Sequence, residues 1–328
     1  MTRISENQFT NLLVNYTVNN KSRVNKYSEQ VATGIKAALP SDSVDAGVIS
    51  RYKQTLDRID GYTTTIARVR SLVQFQDDAL SQMNELIVRA KEIAQQGANE
   101  SLTPSARAFL AEEVFQLRDQ VAGLGNSSYQ GRYVYGGADD DDPPFDASLY
   151  DEPATGPASV KYEFDAEIGT SQERAVKITD DVSVSINTPG SQVFGTTIEA
   201  LERLGRSLVG YATTPASGTP DGGGTAYTFP TDYVTQTNDI KATIDLLTKA
   251  RDEEVIPERT MLGGKMRRLE TAEALLSLTK TSAQEVLSRI QNADETESVA
   301  NLTQAQTALQ ASYSVTAKAL RLTIMDFL

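Results

Sequence analysis

The sequence predicts a mainly α protein with a β-rich insertion, in which long helices from both ends of the chain form an antiparallel, coiled-coil-like rod that carries a small β domain. Two observations indicate this fold class. Apolar residues recur with heptad spacing towards both ends of the 328-residue chain, which is typical of long helices packed along a seam. In the middle, apolar and polar residues alternate instead, as expected for β-strands.

The longest predicted helix follows one apolar seam over about five heptads and ends near Gly97. Gln76 is the single strongly polar residue on this seam. The seam consists of Ile59, Tyr62, Ile66, Val69, Val73, Gln76, Leu80, Met83, Ile87, Ala90 and Ala94. Thr103 followed by Pro104 predicts the start of a second helix, because proline fits the first helical position. We expect this second helix to fold back antiparallel on the first.

Both terminal segments are also predicted to be helical. The last quarter has a seam at Leu262, Met266, Leu269, Leu276, Ala283, Leu287 and Ile290, and then at Leu302, Leu309, Tyr313, Thr316 and Leu320. Glu273 and Lys280 fall on this seam, so we expect its packing to be less regular. The first segment is poorer in apolar residues, which predicts a helix that needs a partner to form. We expect another surface to cover Phe327 and Leu328 at the end of the sequence.

The middle of the chain alternates apolar residues between 160 and 164 and again between 176 and 186, which predicts a small β domain. Helical spacing returns at 198–208 and from Ile240 onwards, and Pro257 is expected to kink or break the returning helix. The predicted organisation comprises terminal helical segments at 1–40 and 295–328, a helical core at 41–137 and 232–294, and a β-rich outer domain at 138–231 with a flexible loop at 213–225.

Composition argues against several classes of function. The net charge of −13 argues against a nucleic acid or anionic membrane partner, because both need a basic face. Cysteine and histidine are absent, which excludes disulfides, the usual zinc sites and nucleophiles activated by histidine. We predict no catalytic residue, no cofactor and no metal site. The acidic run from Asp139 to Asp142 is followed at once by Pro143 and Pro144, which favours a solvated linker over a calcium loop.

Targeting signals are also absent from the sequence. No segment reaches the roughly 20 apolar residues of a membrane span. The start of the chain lacks the apolar region and the cleavage site of a secretory signal peptide. Taken alone, these observations predict a cytoplasmic protein.

Several separated blocks resemble the flagellin family, which comprises the flagellins and their hook-associated relatives. The blocks are TRISENQ at the start, SEQVATGIKAALPSDSVDAGVISRYKQTLDRIDGY, LSQMNELIVRAKEIAQQGAN, EEVFQLRDQVAGLGNSS, GGKMRRLE and LTQAQTALQASYSVTAKAL. They occur in the family's order and span roughly the first 137 and last 95 residues. SSYQGRYVYGG and the ending IMDFL are similar to the branch that joins the hook to the filament. SDSVDAG departs from the family, which usually has a second acid after Pro-Ser-Asp.

The resemblance implies a structural subunit of the bacterial flagellum that is not an enzyme. It would join the hook to the filament through axial packing of terminal helices that are loose in the free subunit. Implied partners are a hook-side junction protein, flagellin, further copies of the chain in a ring, and an export chaperone at the C-terminal helix. The implied location is extracellular, after flagellar type III export without a cleaved signal peptide. The expected assembly residues are Ile4, Phe9, Leu13, Tyr16, Leu309, Tyr313, Leu320, Ile324, Phe327 and Leu328.

Three alternatives stay open at this point. A flagellin filament subunit would show the same terminal helices and would polymerise by itself. A carboxylate-based enzyme acting on glycan would need paired acids in a cleft of the β domain, whereas Glu163, Asp165 and Glu167 alternate as on a solvent face. A cytoplasmic helical signalling module fits poorly with the β insertion and with the glycine-rich loop.

Overall fold

A computed structural model describes residues 6–36, 46–137, 140–149, 160–164, 174–211 and 232–325. Within these ranges the helices are α1 (Glu6–Thr33), α2 (Ala46–Gly97), α3 (Pro104–Gly125), α4 (Ser191–Val209), α5 (Tyr233–Lys249), α6 (Ile256–Gln291) and α7 (Glu295–Met325). A π-helical turn, Ala250–Val255, connects α5 to α6. The strands are β1 (Ser128–Tyr129), β2 (Arg132–Tyr133), β3 (Phe145–Leu149), β4 (Val160–Phe164), β5 (Ala175–Lys177) and β6 (Ser183–Ser185). This mainly α fold with a β-containing insertion confirms the predicted fold class.

Helix α2 confirms the predicted seam, because every seam residue except Tyr62 is buried. The side-chain amide of the polar Gln76 donates to the carbonyl of Ile186 at 3.4 Å. Helix α3 begins where the sequence predicts. The Thr103 hydroxyl accepts from the Ala106 N–H at 3.3 Å, and Pro104 occupies the first turn. The two helices run antiparallel, with Arg89 bonded to Glu113 at 2.7 Å.

The period-two segments form separate hairpins, and each sheet in the described residues has two strands. β3 pairs with β4, and β5 pairs with β6, both antiparallel. β1 and β2 form a tighter hairpin in which Gln130 and Gly131 both have positive φ, as a two-residue turn requires. The helical spacing predicted at 198–208 belongs to α4, which begins earlier, at Ser191.

Pro257 does not break the returning helix. A proline inside an α-helix clashes with the carbonyl four residues earlier and cannot donate to it. Here the preceding turn is widened into the π-helical turn, in which the Ile256 N–H donates to the Arg251 carbonyl, five residues back. The helix therefore continues through Pro257 into α6, and the break that was one of the two expected outcomes does not occur.

Contacts divide the chain into two compact units. The terminal unit comprises Met1–Gly61 with Leu275–Leu328, and the central unit comprises Tyr62–Ala274. The predicted division into three segments has different boundaries and stays a prediction.

The central unit has a densely packed core. Phe194 is fully buried between two aromatic rings, with centroid distances of 4.7 Å to Tyr135 and 6.2 Å to Phe145. Glycines allow several of these close contacts. An added Cβ at Gly205 would lie 2.5 Å from the ring of Phe115. Such contacts fix how α4 packs against α3.

Buried charges in the central unit are paired or hydrogen-bonded. Glu202 of α4 bonds both Arg118 of α3 and Arg206 of its own helix. Burial by itself lowers the pKa of Arg118, but Glu202 and then Asp119 outweigh it and raise that pKa. Arg107 is fully buried, and its guanidinium donates to the Gln236 amide oxygen and to a backbone carbonyl. Burial lowers the pKa of Arg107.

Candidate assembly interface

Helices α1 and α7 of the terminal unit pack side by side and antiparallel. The amide of Asn20 donates to the Ser312 hydroxyl at 2.7 Å and lies 3.4 Å from the Ala308 carbonyl. Further along, Ile35 and Asn292 form an antiparallel β-bridge. Asn20 therefore reaches residues 308 and 312 while Ile35 meets residue 292, which fixes one register for the pair.

The seam between α1 and α7 is mixed in polarity and only partly buried. Half-buried or buried positions recur every three or four residues on both helices, as in an antiparallel coiled coil. On α1 they are Leu13, Thr17, Asn20, Val24, Tyr27, Gln30 and Val31. On α7 they are Ser298, Leu302, Ala305, Leu309, Ser312 and Thr316, with intermediate positions also at Asn301 and Ala308. Among the α1 side chains that the structure describes none is buried, and on α7 only Ser298 and Ala305 are.

Large apolar side chains lie on the outer surface of the same pair. The exposed fractions are Leu12 49%, Val14 48%, Tyr16 56% and Val18 59% on α1, and Val299 45%, Tyr313 53% and Val315 48% on α7. Leu12 and Tyr16 are one turn apart on one flank of the seam, and Val14 and Val18 are one turn apart on the other flank. Apolar side chains are therefore exposed on both flanks of the α1–α7 seam.

This distribution departs from that in a self-contained coiled coil. A stable pair buries its large apolar residues in the seam and exposes polar ones, because burial of apolar area supplies most of the free energy of association. Here Thr17, Asn20 and Ser312 interrupt the apolar residues of the seam, while other large apolar side chains face solvent. The terminal pair is thus marginal by itself, and its outer surface can gain free energy by being covered.

The predicted assembly residues fall into four groups. Leu13 and Leu309 lie half-buried on the seam, whereas Tyr16 and Tyr313 are exposed on the outer surface. Three further residues have a described backbone in α1 or α7 but no described side chain, namely Phe9, Leu320 and Ile324. The remaining three, Ile4, Phe327 and Leu328, lie outside the described residues.

Sequence reasoning placed Tyr313 on the seam and missed most of the outer apolar residues. The seam passes through Ser312 instead, one position earlier. Leu12 was assigned to the helix but not to the interface, and Val14, Val18, Val299 and Val315 carry no heptad signal. A usable signal was the repetition of apolar residues at i and i+4 on positions that flank the seam, as at Val14 and Val18.

Backbone contacts tie the start of α7 to the end of α1. Gly34 ends α1 with a φ of 69°, and its carbonyl accepts from the Ala293 N–H at 2.8 Å. Asp294 caps α7, since its carboxylate accepts from the Glu297 N–H at 3.1 Å. These bonds anchor one end of the helix pair.

The described residues offer little for other chemistry. No group of three or more Asp or Glu side chains that could hold a metal ion occurs among them. Nor does any helix in the described part of the chain have the length and hydropathy needed to cross a membrane. The arrangement of the terminal unit is suited to helix packing.

Comparisons with known proteins agree with the helical ends. The family model for the bacterial flagellin N-terminal helical region matches residues 4–139, and that for the bacterial flagellin C-terminal helical region matches residues 235–328. The chain is 26% identical over 305 residues to flagellar hook-associated protein 3 of Escherichia coli K12, covering 90% of each chain. It is 30% identical over 132 residues to the Salmonella typhimurium protein of the same name, covering 39% of this chain and 41% of that one.

Solved structures share the fold. A putative flagellar hook-associated protein from Vibrio parahaemolyticus superposes with a TM-score of 0.58 at 18% identity, covering 76% of this chain and 99% of that one. FlgL from Xanthomonas campestris gives a TM-score of 0.53 at 18% identity, covering 74% and 100%. With both helical regions matched and this fold in common, the chain belongs to the flagellin family.

Proposed function

We propose that this chain is a structural subunit of the bacterial flagellum that joins the hook to the filament through axial packing of its terminal helices. The observation that carries the proposal is the α1–α7 pair, whose seam is only half-buried and includes polar residues while large apolar side chains lie exposed outside it. Relatives named hook-associated protein 3 support the place at the junction. The proposed work is packing, and no residue is assigned a catalytic role.

The proposed partners follow from the same surface. Further copies of the chain would cover the flanks of α1 and α7 within a ring. A hook-side junction protein and flagellin would meet the two ends of that ring. Before assembly, an export chaperone would shield the apolar surface of α7, and the chain would leave the cell through the flagellar type III channel.

The test removes outer apolar residues without touching the seam. Replacing Leu12, Tyr16 and Tyr313 together by serine should leave the central unit folded, because these side chains belong to the terminal unit and are about half exposed. We expect the variant to be secreted but largely missing from isolated flagella, and motility to be lost. The matched control is Val234→Ser, which removes an apolar side chain that is 62% exposed in the central unit. Normal motility of the triple variant would contradict the proposal.

Filament formation separates the junction role from the alternative of a flagellin. A junction subunit should not form long filaments when the purified chain is concentrated or seeded. Cells that lack it should release flagellin into the medium, because the filament has no base on which to grow. Spontaneous growth of filaments from the purified chain alone would favour a flagellin.

A further inference from the structure

Phe109 is an exposed aromatic side chain that nothing in its own unit covers. It projects from α3 with 79% of its surface accessible, and on the neighbouring helix α2 Val88 is 41% exposed. Carboxylates lie beside it. Glu112 and Glu113 lie on the next turn of α3, and Glu113 shares Arg89 with Glu92. An exposed aromatic side chain next to carboxylates is suited to anchor a protein–protein interface.

Gly263 and Gly264 form a notch on α6. Consecutive glycines inside a helix destabilise it relative to alanine, so their presence calls for a reason. Packing within the chain supplies none, because an added Cβ at either position would have no atom within 4 Å. This distinguishes the pair from Gly97, where an added Cβ would lie 2.4 Å from Leu208. A close approach by another molecule would explain the two glycines, because side chains at these positions would block it.

The residues around the notch are complementary in charge to those around Phe109. Ile256 lies two turns before Gly263 on the same face of α6 and is 45% exposed, and Met261 nearby is 56% exposed. Lys265, Arg267 and Arg268 follow the glycines directly. The notch is therefore apolar with a basic edge, whereas Phe109 is apolar with an acidic edge.

Phe109 cannot reach the notch of its own chain. The Arg89–Glu113 ion pair fixes how α3 aligns with α2 and places Phe109 level with residue 93 of α2. The Asp77–Arg259 ion pair fixes how α6 aligns with α2 and places Gly263 level with residue 73. Twenty helical residues correspond to about 30 Å. Asp77 and Arg89 also lie about 120° apart around α2, so α3 and α6 flank it on different sides.

We propose that Phe109 of one copy of this chain packs into the Gly263–Gly264 notch of a neighbouring copy. Each copy carries both halves of this contact at different places, so the contact is heterologous and can be repeated from copy to copy. It adds a specific contact between central units to the packing of terminal helices. The inference rests on the proposed function only for the existence of neighbouring copies.

Cysteine cross-linking tests the contact directly, because the chain contains no cysteine of its own. The gene would be replaced in the native bacterium by one encoding Phe109→Cys and Gly264→Cys, and isolated flagella would be oxidised. We expect a ladder of covalent dimers and larger multiples, which neither single variant gives. Dimers from Phe109→Cys alone would show a symmetric contact instead, and a covalent product with a different protein would show another partner. Either result overturns the proposal.

Alanine substitutions supply a readout that does not depend on disulfide formation. Gly263→Ala with Gly264→Ala should raise the melting temperature of the free chain, yet lower its amount in isolated flagella about tenfold or more. The control Gly123→Ala is also a helical glycine with no atom within 4 Å of an added Cβ, and it should leave that amount unchanged. Phe109→Ala should lower the amount without changing the melting temperature.

Failure of the contact and failure of the proposed function would give different results. If the unmodified chain is present in flagella but no ladder forms and the alanine variants incorporate normally, the contact is wrong and the proposed function stands. If the unmodified chain is absent from isolated flagella, the proposed function fails, and the contact that rests on it fails too.

Discussion

The central unit and the terminal helix pair differ in how completely they bury their apolar residues. In the central unit Phe194, Leu201 and Leu204 are fully buried, and glycines at close contacts allow dense packing. In the terminal pair the seam holds Asn20 and Ser312 while large apolar side chains face outwards. The central unit thus has what it needs to fold by itself, whereas the terminal pair reaches a favourable free energy only when its outer surface is covered.

The largest expected difference comes from truncating one large side chain in each region. Phe194→Ala removes a fully buried ring that contacts Tyr135 and Phe145, so it should lower the free energy of unfolding by about 3–5 kcal/mol. Leu309→Ala on the half-buried seam of α7 should lower it by less than about 1.5 kcal/mol. Urea unfolding followed by circular dichroism measures both. Equal losses would contradict the difference between the two regions.

Glycine substitution tests the packing of the central unit with a smaller effect. Gly205→Ala should lower the free energy of unfolding by about 1–3 kcal/mol, because the added methyl group would overlap the Phe115 ring. The matched control Gly123→Ala, on α3, should raise it by about 0.5–1 kcal/mol, since open space surrounds that position. Opposite signs in thermal unfolding are the expected result, and a gain at both positions would show a loosely packed core.

Two polar residues in the seam of the terminal pair can be replaced by apolar ones. Asn20→Leu with Ser312→Ala removes both partners of one hydrogen bond, so it should stabilise the α1–α7 pair by about 1 kcal/mol and weaken its preference for one register. The register places Val24 level with Ala305, and cysteines at these two positions should cross-link efficiently. A pair shifted by one heptad, Val31 with Ala305, should cross-link only in the variant. Selective cross-linking in both proteins would argue against a register role for Asn20.

The smallest expected effect concerns Asp140 of the central unit. Burial by itself raises the pKa of Asp140, but hydrogen bonds from Arg132 and Arg174 outweigh burial and lower that pKa. The stabilisation is therefore complete above the ordinary pKa of an aspartate and is lost as the pH falls through the lowered value. Because both arginines are largely exposed, Asp140→Asn should lower the free energy of unfolding by less than about 1 kcal/mol at neutral pH.

The pH profile checks this prediction. The difference between Asp140→Asn and the unmodified chain should vanish in acid. Asp146→Asn, at an exposed position of β3, serves as the control. A difference that persists unchanged in acid would show that the loss does not come from the charge of Asp140.

The sequence predicted the regular helices well because their signals are local and repeated. The α2 seam and the Thr103–Pro104 start are confirmed, since burial follows the heptads and proline fits a first turn. The π-helical turn before Pro257 could not be predicted, because proline in a helix is relieved in several ways that sequence spacing does not distinguish. The outer apolar residues of the terminal pair were missed, because heptad spacing assigns apolar residues to a seam and these residues lie on its flanks.

Hydrogen exchange on the purified, unassembled chain tests the central claim most directly. The measurement compares amides of α1 and α7 with those of α2 and α3 between residues 62 and 125. We expect protection close to the global stability in the central unit and fast exchange in the terminal pair, because the described α1 side chains include no buried residue. Equal protection in both regions would show that the terminal helices are already stable in the free chain, and it would contradict a role in which neighbours complete them.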